Sequence, residues 1–274
     1  MLTARELALA GLSVTLLERG VAGREASWAG GGIISPLYPW RYPDAVSRLA
    51  NWGQSRYEAL AEALRQESGI DPEWTLSGML VLDDAETEQA LNWARRFETR
   101  IEVVGAREVT AAEPAVSARF DDGLWMPDIA QIRNPRLVKA ARGALGTCGV
   151  DLQEGIEVVD LLVANGRVQG VETSGGKRWA DRVVIAAGAW SSKVLQSLDL
   201  RVEIIPVRGQ MIVFRARPGV LGRIVLNHGH YLIPRRDGRI LAGSTLEYVG
   251  YDKSTTEPAK TELLKAALEM VPGL

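Results

Sequence analysis

LALAGLSVTLLERG, residues 7–20, decides how the rest of the chain is read. Leu2, Leu7 and Leu9 stand among alanines in a helical pattern, and Gly11 fits the position just past a helix end, where a left-handed residue is wanted. Residues 13–17 (SVTLL) are an apolar strand that stops at Glu18. Helix, glycine, strand and acid follow one another as in the first β–α–β unit of a nucleotide-binding sheet. An acid at the end of that second strand can bond the ribose hydroxyls of an adenine dinucleotide. On the residues alone Glu18 reads equally as a solvated loop side chain. The unit also needs a strand and a G-x-G-x-x-G turn ahead of its helix, and no capping residue precedes Leu2. A helix predicted over 257–270 runs into Val271, Pro272, Gly273 and Leu274 and stops. The expectation is a chain cut short at both ends.

Outward from this stretch, residues 21–40 hold a glycine run, Gly30-Gly31-Gly32, followed by prolines and aromatics. One amphipathic helix is predicted over 43–68, with Leu49, Trp52, Leu60 and Leu64 on a face. A strand follows over 74–82, a helix over 84–97, a short helix over 107–113, a strand pair within 119–133 and a helix over 134–146. Short strands then come at 150–152, 156–164, 168–173 and 179–181. Asn165-Gly166 marks a hairpin, because a type I′ turn needs positive φ at both central residues. Residues 182–187 (RVVIAA) are a wholly apolar run that predicts a strand buried on both faces of a parallel sheet. Gly188 ends it, and a helix is expected over 189–198. Strands at 204–207, 210–216, 230–234 and 239–243 close the pattern. The fold class is therefore α/β plus α+β. A Rossmann-like part takes residues 1–70 and 135–200, and an antiparallel-sheet part takes 71–134 and 201–274.

The chain of 274 residues is 46% hydrophobic and 24% charged, an ordinary globular composition. A net charge of −2, with no basic stripe, argues against a nucleic-acid partner. No apolar run approaches the roughly 20 residues of a membrane span. The lone Cys148 rules out an internal disulfide and fits a reducing cytoplasm. His228 and His230 form an H-x-H pair with no third ligand at metal spacing, so no metal site is expected. No nucleophile elbow, phosphate-binding lysine loop or H-E-x-x-H is present, and no catalytic side chain is assigned. Trp52 and Trp93 are taken as core or interface.

Two further stretches carry chemistry. Gly30, Gly31 and Gly32 let backbone N–H groups approach a flat ring or a phosphate without a Cβ in the way. A hinge is the alternative, although Trp28 and Ile33-Ile34 on either side point to a packed loop. ADRVVIAAGAWSS, residues 180–192, joins a strand to a helix through a glycine, a place where a chain can pass close to a nucleotide.

With LALAGLSVTLLERG, GREASWAGGGIISPLYPWRYPD (23–44), ADRVVIAAGAWS (180–191), VRGQMIVF (207–214) and HYLIPRRDGRILAGSTLE (230–247), the chain resembles the D-amino-acid oxidase-like superfamily of FAD enzymes. Within it, the similarity is to the glycine oxidase type linked to thiamine biosynthesis. The resemblance implies FAD as cofactor and oxidative deamination of glycine or another small amine or amino acid. An imine and then an oxo acid would form, with molecular oxygen reduced to hydrogen peroxide. A sarcosine oxidase-like or D-amino-acid dehydrogenase-like enzyme, or a non-catalytic remnant, is the alternative.

Site roles follow from the same resemblance. Glu18 and Arg19 would meet the adenosine ribose. Glu25, Ala26, Gly30, Gly31 and Gly32 would line the pyrophosphate and isoalloxazine. Val158 would contact the adenine through its backbone, Ala187 and Gly188 would pass near the dinucleotide, and Tyr231 would sit over the flavin and touch the substrate. Arg208, Arg235 and Arg236 do not match the position of the family's carboxylate clamp. Whether the protein is a homo-oligomer stays open.

Overall fold

Seven strands from two distant parts of the chain make the largest sheet of this computed structural model, which describes residues 1–274 apart from Asp83, Asp84, Asp199 and Arg201. Across the sheet the order is Met211–Arg215, Arg239–Gly243, His230–Pro234, Ile224–Asn227, Met79–Val81, Asp122–Met126 and Glu102–Gly105. Ile224–Asn227 runs parallel to Met79–Val81, and the other neighbours are antiparallel. Successive side chains of a strand point to opposite faces, and here both faces are covered. Leu80, Val225, Leu232 and Ala242 face the helix Glu257–Met270 through Ala267 and Met270. Met79, Val81, Ile224, Leu226, Tyr231 and Ile233 face the other way, toward Ile33, Leu37 and Tyr38. The loop after the glycine run is thus a lid on one face of the sheet, and this positions the site.

The other half holds a parallel pair, Thr15–Glu18 with Asp151–Glu154, in register from Thr15 opposite Asp151 to Glu18 opposite Glu154. The helix Leu2–Leu9 ahead of it ends as its sequence predicts. Gly11 has φ +85°, its N–H reaches Ala8 O and that of Leu12 reaches Leu7 O, which satisfies two end carbonyls. Helix Asn134–Thr147 packs on Tyr57–Ser68 through Ala140, Ala141 and Ala144 against Leu64. A three-stranded meander, Val158–Ala164, Arg167–Thr173 and Gly176–Trp179, flanks this part. Its first turn has φ +52° at Asn165 and +71° at Gly166, as the Asn-Gly pair requires. Among the described residues, no helix is long and apolar enough to cross a membrane.

Several elements differ from expectation. The single helix over 43–68 is two, Asp44–Gln54 and Tyr57–Ser68. The break falls at Ser55-Arg56, where Ser55 Oγ (3.0 Å) and Arg56 Nη1 (3.1 Å) both donate to the Trp52 carbonyl in place of the next helical turn. Leu49 and Trp52 are consequently exposed, and the Arg56 guanidinium lies 3.9 Å over the Trp52 ring. Trp93 is buried as expected and donates to Ser47 Oγ at 3.0 Å.

Residues 182–187 are not a buried central strand. Among the described residues no strand pairs with them, and Val184 is 62% exposed. A Val/Ile run makes a strand only where neighbours offer a pleated surface to pack on. Among the described residues no strand pairs with 204–207 either, and Arg208 just after them bridges to Glu247. The expected helix over 189–198 is a short α-helix, Ser191–Leu195, between 3-10 turns. The expected start of the helix over 84–97 lies outside the described residues, and the helix runs Thr87–Phe97. Ile224–Asn227, all four residues buried, was not expected.

Because Leu226 is wholly buried in the middle of the sheet, Leu226→Ala should cost about 2–5 kcal/mol. Exposed Leu49→Ala should stay within about 0.5 kcal/mol of the parent. Urea unfolding of the two variants checks this, and equal effects would contradict the packing described.

Candidate functional site

Tyr231 and the glycine run, 200 positions apart in sequence, meet. Residues 32–34 pair antiparallel with 130–132, through Ile34 N–H to Ala130 O (2.9 Å) and Ile132 N–H to Gly32 O (2.8 Å). That pairing lays Gly31 across the end of the large sheet, where a Cβ at Gly31 would stand 3.1 Å from Tyr231 Oη and 3.0 Å from Ile233 Cδ1. A Cβ on Gly30 would press on Asn134 Nδ2 at 2.6 Å, and one on Gly32 (φ +80°) would overlap the Ile132 carbonyl. Close protein packing therefore demands these glycines, and the run is no hinge.

Tyr231 is buried and donates to Met211 Sδ at 3.3 Å. Both residues flank Gly243 across the sheet, where any Cβ would press on the pair. Burial pushes the Tyr231 phenol above its usual value of 10, against the pull of Ser244 and of the Arg235 charge, so it stays a protonated donor.

Beneath the loop lies Arg235. Its Nη1 donates to Gln131 Oε1 (2.8 Å) and Ile132 O (3.1 Å), and its Nη2 donates to Gly31 O. Burial, helped by the neighbouring Arg133 charge, lowers its pKa to about 10, which leaves it charged at neutral pH. The other two arginines considered as clamps are engaged at the surface side. Arg208 pairs with Glu247 (2.6 Å) and Asp252, and Arg236 pairs with Asp71 (2.9 Å).

A second cluster gathers the remaining expected residues. Glu18 Oε1 accepts from the Gly20 N–H at 2.8 Å, and the Glu18 carbonyl accepts from Ile156 N, two residues before Val158 opens its strand. The Arg19 guanidinium stacks 4.0 Å over Trp190, which stacks in turn on Tyr251 with centroids 5.1 Å apart. Ala187 and the left-handed Gly188 (φ +53°) deliver Trp190 to that position. Glu25 pairs with Lys253 at 3.1 Å and more loosely with Arg19 at 3.9 Å, and Ala26 opens the exposed short helix Ala26–Ala29. Trp190, Tyr251, Lys253, Met211 and Gln131 were not singled out beforehand. Only Trp190, inside GAWSS, carried a local signal.

His230 Nε2 lies 3.5 Å from Glu262, and no group of three or more metal-ligand side chains occurs among the described residues. Cys148 is half-buried, with its thiol against Leu145 O.

The two halves, a parallel β–α part bearing Glu18 and a sheet presenting Tyr231 to a glycine loop, match along residues 1–274 the family described as FAD dependent oxidoreductase (DAO). The chain belongs to that family. It is 48% identical over 275 residues to the glycine oxidase of Pseudomonas aeruginosa, covering 100% of this chain and 76% of the relative. It is 30% identical over 270 residues to the bifunctional protein ThiO/ThiG of a Synechocystis species, covering 96% of this chain and 39% of that longer protein. The crystal structure of glycine oxidase from Geobacillus kaustophilus superposes with a TM-score of 0.92 at 26% identity, covering 98% of this chain and 74% of that one.

FAD is the cofactor of this family, and the loop has groups to receive it. A trans peptide is planar, so its C=O and N–H point in opposite directions. With Gly31 O turned to Arg235, the Gly32 N–H is turned away from it. Among the described residues neither Gly31 N–H nor Gly32 N–H donates a hydrogen bond. Two unspent donors on a rigid loop suit the acceptor-rich edge of a flavin.

Gly32→Ala should cost at least ~1–2 kcal/mol from the left-handed backbone alone, with the clash at Ile132 added. Gly53→Ala, in the last turn of its helix with open space around it, should instead stabilise by about 0.4–1 kcal/mol, chiefly by restricting the unfolded chain. Thermal melts of both would show opposite shifts, and a stable Gly32→Ala would mean that the loop is loosely held.

Proposed function

We propose that this chain carries out FAD-dependent oxidation of glycine, or of an amine or amino acid of similar size, at the junction of Tyr231 and the Gly30–Gly32 loop. The observation that carries it is that junction: a buried, protonated phenol packed on a glycine backbone with two free N–H groups. Residues 1–70 and 135–200 act as the FAD-binding part and 71–134 and 201–274 as the substrate part. In support, the parallel pair draws on 15–18 and 151–154, while the seven-stranded sheet draws on 79–126 and 211–243. FAD, when bound, supplies the acceptor for the electron pair of the amine, and molecular oxygen takes the electrons on as hydrogen peroxide.

The chain's own groups bind and orient. Gly31 and Gly32 N–H hold the flavin edge, Glu25 and Ala26 lie along the pyrophosphate, and Glu18 and Arg19 meet the ribose. The Val158 backbone faces the adenine, and Ala187 and Gly188 pass beside the dinucleotide. Tyr231 gives up its weak acceptor, Met211 Sδ, for the substrate carboxylate, since a charged oxygen is the stronger partner. With Met211 beside it, the ring also limits the volume left for a side chain. Similarity to the glycine oxidases and to ThiO/ThiG supports this substrate class and a place in thiamine biosynthesis. The lone Cys148 supports a cytoplasmic setting.

Losing one hydrogen bond to a charged group costs about 1.5–3 kcal/mol, which is roughly 10- to 150-fold in kcat/KM. Tyr231→Phe should lower glycine-dependent oxygen uptake by that factor with its flavin spectrum unchanged. Parental turnover of glycine by Tyr231→Phe would make the tyrosine a packing residue. Reduction of an artificial acceptor without oxygen uptake would make the enzyme a dehydrogenase.

A further inference from the structure

Arg235 is a buried positive charge whose hydrogen-bond acceptors are all neutral. It is 7% exposed, its two terminal nitrogens are spent on Gln131 Oε1, Ile132 O and Gly31 O, and its Nε has no partner. The nearest acids are occupied elsewhere: Glu73 by Arg133 (3.1 Å) and Arg136 (3.2 Å), and Asp237 by Arg133 (2.9 Å) and Arg239. Burying a cation without a bonded counter-charge is expensive, and three neutral acceptors do not by themselves need a charged donor. The charge therefore calls for a function that a neutral side chain could not serve.

That function is set by what lies beyond Gly31. Arg235 reaches the back of the Gly31–Gly32 peptide, whose N–H leaves on the opposite side. We propose that Arg235 is a positioning residue for the flavin. It fixes that peptide with its N–H toward the isoalloxazine, and its charge, which no acid is hydrogen-bonded to, favours the reduced, more negative form of the ring. The inference rests on the reading above that the ring lies against Gly30–Gly32. It assigns Arg235 no contact with substrate, which agrees with its burial under the loop. A guanidinium serves here because its planar fork engages three acceptors at once, which a lysine ammonium on a flexible stem cannot hold in fixed directions.

The test is the reduction potential of the FAD-loaded protein, read against a reference dye, in two near-isosteric variants. Gln131→Glu places a carboxylate on Arg235 while keeping the side-chain shape and the guanidinium. A unit charge one peptide away, at an effective dielectric of about 20, is worth about a decade or more in an equilibrium constant. Gln131→Glu should therefore shift the two-electron equilibrium toward oxidised flavin by about tenfold, which is ~30 mV. Arg235→Lys keeps the charge and loses the fork, so its potential should stay within about threefold of the parent while FAD is held more weakly. Gln131→Glu at the parental potential, with FAD bound, would overturn this proposal alone. Equal shifts in both variants would also overturn it, by reducing Arg235 to a structural bolt. A parent protein that takes up no FAD would overturn the flavin reading and this proposal with it.

Discussion

Arg235 stands where three parts of the chain converge: the turn after the strand His230–Pro234, the end of the strand Ala130–Gln131, and the glycine loop. Among the described residues, its hydrogen bond to Gly31 O is the side-chain link from the glycine loop to the turn that follows Tyr231. Remove the hydrogen bonds of Arg235 and the carbonyls of Gly31 and Ile132 and the amide of Gln131 are left buried without a donor, a heavier loss than the bonds are worth when made. The loop's backbone direction follows from this anchorage, because a carbonyl held inward turns the next N–H outward. The face that receives a cofactor is thus set by a contact on the side away from it.

The sheet beneath supplies the second constraint. Tyr231 and Ile233 share a face with Leu226 and Met79, and that face is sealed by residues 33–40 together with Ala90 of the helix Thr87–Phe97. Gly229 N–H donates to Tyr38 Oη at 3.0 Å, and Trp40 Nε1 donates to Glu86 at 2.6 Å, which ties the seal at both sides. Packing of this kind leaves the phenol a fixed direction. A site that must hold a small substrate against a flat ring depends on such rigidity more than on any acid or base.

Much of this was legible in the chain's pattern, and the failures have physical causes. Residues 230–234 and 239–243 are true strands because each lies between two others, and the sheet's faces are covered by the helix Glu257–Met270 and by residues 33–38. Asn165-Gly166 and Gly11 were legible because a positive φ is a local demand. Residues 182–187 misled because an apolar run reports burial only where partners exist to bury it. Ile224–Asn227 escaped notice because its apolar run is only three residues long, too short for a period to mark it as strand. Among site residues, Tyr231 and the glycines drew attention separately, yet nothing local says that they touch. Arg235 is the sharpest case. As a sequence position it is one of three spare arginines, and only the fold shows it under the loop with neutral partners while Arg208 and Arg236 pair with acids.

The central claim is that the glycine loop and Tyr231 together form a flavin site that accepts an amine as small as glycine. Anaerobic titration of the purified protein with glycine, followed by the visible absorbance of bound flavin, tests it most directly. The account predicts a yellow protein whose flavin bands bleach on adding glycine and return when air is admitted. A protein that stays colourless with added FAD, or whose bound flavin remains oxidised at saturating glycine, would contradict it.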